Sequence, residues 1–318
     1  MALNPQKMCI VESGITKGLI HLIILVGASG NLGHRIAREV LKLGAPLRVI
    51  ARQGTSREKI QGLESLGCQV LVIDFSNHES LTKACLGGNV VVSALSGLRD
   101  SIVVAQTQLL NAAIYANVPR FIPSDFALDF TRIPEGWNRN LSFRREFMKI
   151  ADSSNIRVTS ILNGGFMDML TGVAPFILFK AHRILCWGSP NQLTDWTTVE
   201  DTAKYTALAA LDSETPRFLK IAGDQLSANT LASLMSELTG KKHKILRPGN
   251  LQMFRILIQF TRLLTKKSDD LYPAWQGMQY MHNMYSGQAK FETTDNDRYP
   301  MNWTKAKDLL NEFLQSNV

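Results

Sequence analysis

Three glycines at equal spacing, Gly27, Gly30 and Gly33, stand between an apolar run and a helical pattern in "ILVGASGNLGHRI". What they offer is bare backbone. Gly27 permits a tight turn, Gly30 lets the chain approach a pyrophosphate, and Gly33 lets helix and strand pack closely. Free N–H groups at the start of the helix, here from Ser29 through Asn31 and Leu32, favour an anion. The plain alternative is a structural turn, but a strand before and a helix after are the context a dinucleotide loop requires.

The second strand selects between cofactors. Where NAD sites usually place an acid to bond the ribose 2′-OH, this chain reads "VIARQGTSREK", with Arg52 and no carboxylate. A guanidinium cannot accept that hydrogen bond, but it forks onto a 2′-phosphate, with Ser56 and Arg57 near enough to assist. NADP(H) is therefore favoured over NAD(H). A solvent-facing loop cation is the alternative reading of Arg52.

Acid–base chemistry has fewer carriers. No Tyr is followed by Lys in a Tyr-x-x-x-Lys pattern. Asp125 and Asp129 in "SDFALD" follow a strand on the cofactor side, where one raised pKa would permit proton transfer and a capping role is the plainer reading. Asn163 and Asp168 flank "GGFM" at the end of another strand, with Gly164 and Gly165 suggesting close backbone approach or a turn. The histidines form no metal or triad spacing, and His34 reads as a packed residue.

The elements that must position these groups alternate. "HLIILV", "LRVIA", "QVLVID", "NVVVSAL", "RFIPS" and "RVTSIL" are strand-like and separated by helical stretches, including Asn31 to Leu43, Ile102 to Ala116 and Leu141 to Ser153. Runs this continuous in Val, Ile and Leu are buried on both faces, as parallel strands are, and the alternation predicts an α/β doubly wound sheet. Further on, a helix near Glu200 to Leu211, the strand "RFLKIAG" and a helix near Thr230 to Leu238 follow. "LQMFRILIQFTRLLTKK", Leu251 to Lys267, reads as a helix that buries most of its surface in a lobe core or subunit interface, with Arg255, Gln259, Arg262 and Lys266 as its polar stripe. In the helix before "RVTSIL", Lys149 falls on the face turned to water.

Composition bounds the rest. The chain has 318 residues, 45% apolar and 19% charged, which is globular and not disordered. A net charge of +8 invites nucleic acid, yet the basic residues are spread and the densest cluster is only "GKKHKILR". An anionic cofactor accounts for the balance as well, so nucleic acid is not expected. Four scattered cysteines, Cys9, Cys68, Cys85 and Cys186, suit free thiols in a reducing compartment, hence a cytoplasmic protein. No apolar run spans a membrane, and neither a membrane nor a metal is expected as a partner. Residues 1–20 read as an N-terminal extension.

"GASGNLG", "ARQG", "RFIPSDFALDF", "VTSILNGGFMD" and "WTTVEDTAKYTALAAL" together resemble the landmarks of the NmrA-like and isoflavone-reductase-like atypical short-chain dehydrogenases, and "YPAWQGMQYM" and "DNDRYP" resemble NmrA-type members. The resemblance implies a Rossmann domain over 21–165, completed by about 197–222, and a smaller substrate-side lobe over 166–196 and 223–318. It implies cofactor contacts from Gly27, Ser29, Gly30, Asn31, Leu32, Gly33 and Arg52, from Asp74 near adenine, from Ser93 and Ser96 near the ribose, and from Ser124 and Phe126 near the nicotinamide. Asn163, Phe166, Trp275 and Tyr280 would face an aromatic or phenolic substrate. The resembled reductases carry a lysine at the start of the helix before "RVTSIL"; the matching position here is Arg144. A guanidinium stays charged, so Arg144 can orient an oxyanion but not act as an ordinary acid or base. Arg144 and Asp125 are the catalytic candidates.

The expectation is an NADP(H)-dependent oxidoreductase reducing a small aromatic or carbonyl compound by direct hydride transfer, possible as a homodimer. The alternative is an NmrA-type dinucleotide-binding sensor without turnover.

Overall fold

A computed structural model describes residues 21–265 and 270–316. The N-terminal extension, Cys9, Lys266 and Lys267 lie outside the described residues.

The first half alternates β1 (Ile23–Val26), α1 (Asn31–Lys42), β2 (Leu47–Arg52), α2 (Arg57–Ser65), β3 (Gln69–Ile73), α3 (His78–Cys85) and β4 (Val90–Ser93). A π-helical turn, Asp100–Ala105, then leads into α4 (Gln106–Tyr115), followed by β5 (Arg120–Ile122), α5 (Arg139–Asp152) and β6 (Arg157–Val158). These strands form one six-stranded sheet in the order β3-β2-β1-β4-β5-β6, and every pairing in it is parallel. This is the doubly wound Rossmann topology, whose strand order reverses between β1 and β4. The apolar runs explain it. Ile23, Leu25, Val49 and Val92 point to the face covered by α1, and Ile24, Val26, Val91 and Phe121 to the face covered by α3, α4 and α5.

Beyond Thr159 the β6 run resumes as β7 (Ser160–Leu162) and continues to β8 (Gly165–Phe166). The chain then forms β9 (Ile177–Leu178), β10 (Arg183–Leu185), β11 (Thr194–Thr197) and α6 (Val199–Leu211). The strand β12 (Phe218–Lys220) pairs in parallel with β7 in a separate two-stranded sheet. Helix α6 returns to the Rossmann core, where Glu200 accepts from both Arg35 and Arg38 of α1.

The smaller lobe takes β13 (Asp224–Leu226), α7 (Ala228–Thr239), β14 (Lys244–Leu246), α8 (Leu251–Leu264), α9 (Ala274–Tyr285) and α10 (Ala306–Ser316). Two three-stranded sheets, β14-β10-β9 and β13-β11-β8, lie in it. Its core gathers Phe130, Leu162, Trp196, Met235, Phe254, Met281, Met284, Tyr285 and Phe291. Met281, Met284 and Tyr285 of α9 are thus core packing. Cys68, Cys85 and Cys186 are free and buried, and burial pushes the Cys85 thiol up to about 12.

Of the two places expected for α8, a lobe core or a subunit interface, the lobe core takes up only part of its surface. Only Phe254 and Ile258 are buried, while Ile256, Leu263 and Leu264 face outward at 66%, 83% and 70% exposure. The helix has two apolar stripes, and only one reaches the lobe.

Candidate functional site

The glycine loop closes where the strand order reverses. Gly27 has φ +88°, a left-handed conformation, and a Cβ there would lie 2.5 Å from the Ala94 carbonyl oxygen after β4. A Cβ on Gly33 would come within 2.2 Å of the Gly27 oxygen, so α1 packs on the loop with no room for a methyl group. At Gly30 the nearest atom would be 3.4 Å away. That glycine is not required by packing within the chain; it leaves an open face. Gly30 is the N-cap of α1, no side chain caps the helix, and its first turn holds no acid. The amides of Asn31, Leu32 and Gly33 begin the helix and are directed outward from it, as an anion site requires.

Around this loop the cations divide into two kinds. Arg35 and Arg38 are both paired with Glu200, at 2.6 Å for the Arg35 contact, and Arg38 also with Glu39. Arg52, at the exposed end of β2, has only its backbone engaged: its carbonyl accepts from Thr55. A cleft of about 460 Å³ runs from Ser29, Gly30 and Asn31 between α1 and α2, with Lys59 and Glu58 on its α2 wall. Lys59 escaped the sequence reading; its signal was a second cation just after Arg57, inside the first turn of α2. His34 also lines this cleft and is exposed, which corrects its reading as a packed residue: it sits on the outer face of α1, opposite Ile36 and Val40.

Asp74 follows β3 as an exposed residue whose carboxylate accepts from the Ser76 amide at 2.9 Å; its hydrogen bonds from Ser76 hold its pKa below the usual range. Ser93 is fully buried and its hydroxyl has no partner, whereas Ser96 is exposed. Ser124 is committed: its hydroxyl donates to the Leu95 carbonyl at 2.6 Å, and its amide donates to Gln106 at 2.8 Å. It ties the loop after β4 to the loop after β5. Phe126 is buried in the core under α1 with Ile122.

Asp125 is completely buried. Its Oδ2 accepts from the Ser160 hydroxyl at 2.6 Å, while Oδ1 has no partner. Arg217 donates to the same Ser160 oxygen at 2.7 Å and to Asp152 at 2.7 Å. Burial pushes the Asp125 carboxyl up to about 6, against the opposing effects of Ser160, Arg144 and Arg217. Ser160 and Arg217 were not singled out from the sequence; in "RVTSIL" the signal was a buried polar pair, Thr159 and Ser160, in an otherwise apolar strand.

Arg144, half-buried on α5, donates to the Asn140 carbonyl at 3.2 Å and keeps its Nε buried without a partner. Its charge acts on both Asp125 and Tyr280. Tyr280 is half-buried on α9 and bonds the Asn140 side chain; burial pushes its phenol up to about 12, with Arg144 pulling it down. The start of α5 is locked to α9 by Asn138, which accepts from Gln276 at 2.8 Å. Trp275 does not line an open surface: it is buried between the guanidinium groups of Arg139 at 4.8 Å and Arg262 at 5.1 Å. Lys149 is exposed and pairs with Glu135 at 3.0 Å, as its helix face predicts.

After β7, Asn163 is fully buried, and neither its side-chain oxygen nor its nitrogen has a partner. Gly164 has φ +67° and no room for a Cβ, which would lie 2.3 Å from the Asp195 carbonyl. Phe166 is half-buried on β8. Asp168 is taken up in capping α6, accepting from the Val199 amide at 2.8 Å. Asp129 caps the short helical turn 130–132 and meets Lys220 of β12 at 2.9 Å, an ion pair without hydrogen-bond alignment. Lys220, missed in the sequence, is the cation nearest that carboxylate. The glycine loop, Arg52, Ser93, Asp125 and Asn163 thus lie at or just after strand ends, with Arg144 on α5, while Ser124, Asp129, Phe126 and Trp275 are engaged in packing or capping.

The model of the NmrA-like family matches residues 20–306. The chain belongs to the NmrA-like family. Pinoresinol reductase 1 of Arabidopsis thaliana is 29% identical over 238 residues, covering 69% of this chain and 75% of that protein. The isoflavone reductase homolog IRL of Zea mays is 30% identical over 240 residues, covering 69% and 74%. The structure of "AtPrR2 with NADP+ and (+)pinoresinol" superposes with a TM-score of 0.79 at 23% identity, covering 93% of this chain and 99% of its own. That of Vitis vinifera leucoanthocyanidin reductase with NADPH gives 0.75 at 18% identity, covering 92% and 99%. Among the described residues of this NmrA-like chain, no helix is long and apolar enough to cross a membrane.

Proposed function

We propose that the protein is an NADP(H)-dependent reductase of a small aromatic, phenolic or carbonyl compound. The observation that carries this is the pairing of a glycine cradle closed to any Cβ at Gly27 and Gly33 with an exposed, unpaired Arg52 at the end of β2. The α1 amides receive the diphosphate, and Arg52, with Lys59 across the cleft, takes the 2′-phosphate. Asn163, buried with its amide unspent, is suited to the nicotinamide carboxamide, a group with the same donor and acceptor. The names of the relatives and structures, which speak of pinoresinol, isoflavone and NADP+, support the same class.

When bound, NADPH supplies a hydride. The residues of the chain supply position and charge. Arg144, half-buried on α5, stabilises negative charge on a carbonyl or phenolic oxygen through its guanidinium. Asp125, half-protonated near pH 6, is too deeply buried to meet substrate directly and acts on Arg144 through its charge. Phe166 and Tyr280 offer aromatic surface to the substrate.

The second reading, a dinucleotide-binding regulator without turnover, draws on Arg144 standing where related reductases carry a lysine. One experiment tests both. Purified protein is titrated with NADPH, NADP+, NADH and NAD+ and then assayed against phenolic ethers and aromatic carbonyls. NADPH binding that Arg52→Asp weakens at least about tenfold, with turnover that Arg144→Ala removes, upholds the reductase. Preference for NADH overturns the Arg52 assignment, and binding without turnover moves the protein to the regulator class.

A further inference from the structure

Helix α8 carries a face that the fold leaves uncovered. Phe254 and Ile258 point into the lobe core, and Arg255 and Arg262 lie along one flank with their guanidinium groups over Trp137 at 4.6 Å and Trp275 at 5.1 Å. On the remaining side, Met253, Ile256, Leu257, Phe260, Leu263 and Leu264 recur at three- and four-residue spacing and are exposed by 41% to 83%. At 100° per residue they fill an arc of about 120° that contains no polar side chain. A stripe of that width faces a partner in most helices.

We propose that this face of α8 docks against the same face of a second copy of the chain, around a two-fold axis. Area supports this occupant. At about 200 Å² for a fully exposed large side chain, the six exposures amount to roughly 700 Å², close to the ~800 Å² that each partner buries in a standard stable interface. Self-pairing also needs a surface that does not repel itself. The arc carries no charge, although the chain as a whole carries +8, so an isologous contact here brings together two faces with no like charges to repel. A lipid surface fits less well. Interfacial helices splay cations at the edges of their apolar face, whereas Arg255 and Arg262 are folded back onto tryptophan rings on one flank. The seam would lie behind Trp275 and α9, bracing the lobe that holds Tyr280.

Sedimentation equilibrium of the full chain, from about 1 to 100 μM and at low and high salt, tests the proposal. The wild type is expected to dimerise within that range and to do so more tightly at high salt, because salt screens the repulsion between two basic bodies and leaves apolar contact intact. Phe260→Glu combined with Leu263→Glu should weaken the dimer at least about 100-fold, since each change enters the seam twice. Gln252→Glu combined with Gln259→Glu, which adds the same two charges on the polar flank, should leave it unaltered. Far-UV dichroism and thermal unfolding of the variants confirm that the exposed substitutions leave the fold intact. A wild type monomeric throughout overturns the proposal, as does a dimer that the double variant leaves in place. A wild-type monomer that floats with phosphatidylserine vesicles, and loses this in the double variant, would give the face to a membrane instead.

Discussion

Replacing Asp125 by Asn should stabilise the protein at neutral pH and do almost nothing in acid. Asp125 is fully buried, and its carboxyl is raised from the ordinary 3.8 to about 6 by desolvation, after the relief supplied by Ser160, Arg144 and Arg217. Below about pH 4 the group is neutral in both folded and unfolded chains. Between pH 4 and 6 the folded protein keeps a proton that the unfolded chain has released, so stability falls as pH rises; above 6 both are ionised and the loss is complete. The interval from 3.8 to about 6, at about 1.4 kcal/mol per factor of ten, corresponds to about 3 kcal/mol at pH 8. An amide of the same shape accepts the Ser160 hydroxyl without this cost. Urea unfolding at pH 4 and pH 8 measures it. Asp125→Asn should exceed the wild type by about 3 kcal/mol at pH 8 and by less than about 1 kcal/mol at pH 4. Taking the difference between variant and wild type at each pH removes Asp74, Glu200 and Asp212, whose lowered pKa values pull the other way. A variant that is equally stable at both pH values, or destabilised at pH 8, would refute the claim that an ionised carboxylate is held at a loss there.

The glycines separate packing from ligand binding. Gly33→Ala should unfold the loop and cost about 2 kcal/mol or more in urea unfolding, because its methyl would overlap the Gly27 oxygen. Gly30→Ala should leave stability within about 0.5 kcal/mol of wild type yet weaken NADPH binding in calorimetry, since its methyl enters the face left for the diphosphate. Asn163→Leu should leave the protein as stable as the wild type or more so, because it deletes two unpaired buried polar atoms. It should also raise the Kd for NADPH about tenfold or more; unchanged binding would remove Asn163 from the cofactor site.

The pattern of apolar runs was enough to predict the doubly wound sheet, because a parallel strand buried on both faces must be written in nearly continuous Val, Ile and Leu, as in "NVVVSAL". The glycine loop was legible for a related reason. Gly27 and Gly33 are demanded by contacts between residues close in sequence or on neighbouring strands, so residue type alone carries the geometry. The end of β2 was legible too, since Arg52 is the last residue of its strand.

Elsewhere tertiary contact decided. Whether Asp125 or Asp129 is free for chemistry depends on Ser160, Arg217 and Lys220, partners 35 to 92 positions away in the chain. No local spacing encodes them. Trp275 looked like a substrate wall and is instead enclosed by Arg139 and Arg262, because α5, α8 and α9 converge on it. The apolar pattern of α8 established that the helix has apolar faces, but not how many of them the lobe covers, since burial is a property of the surface it meets and not of the helix. Local sequence determined the sheet, the glycine loop and the cation at the end of β2; which polar groups stay unspent around them was settled only when distant strands and helices had claimed the others.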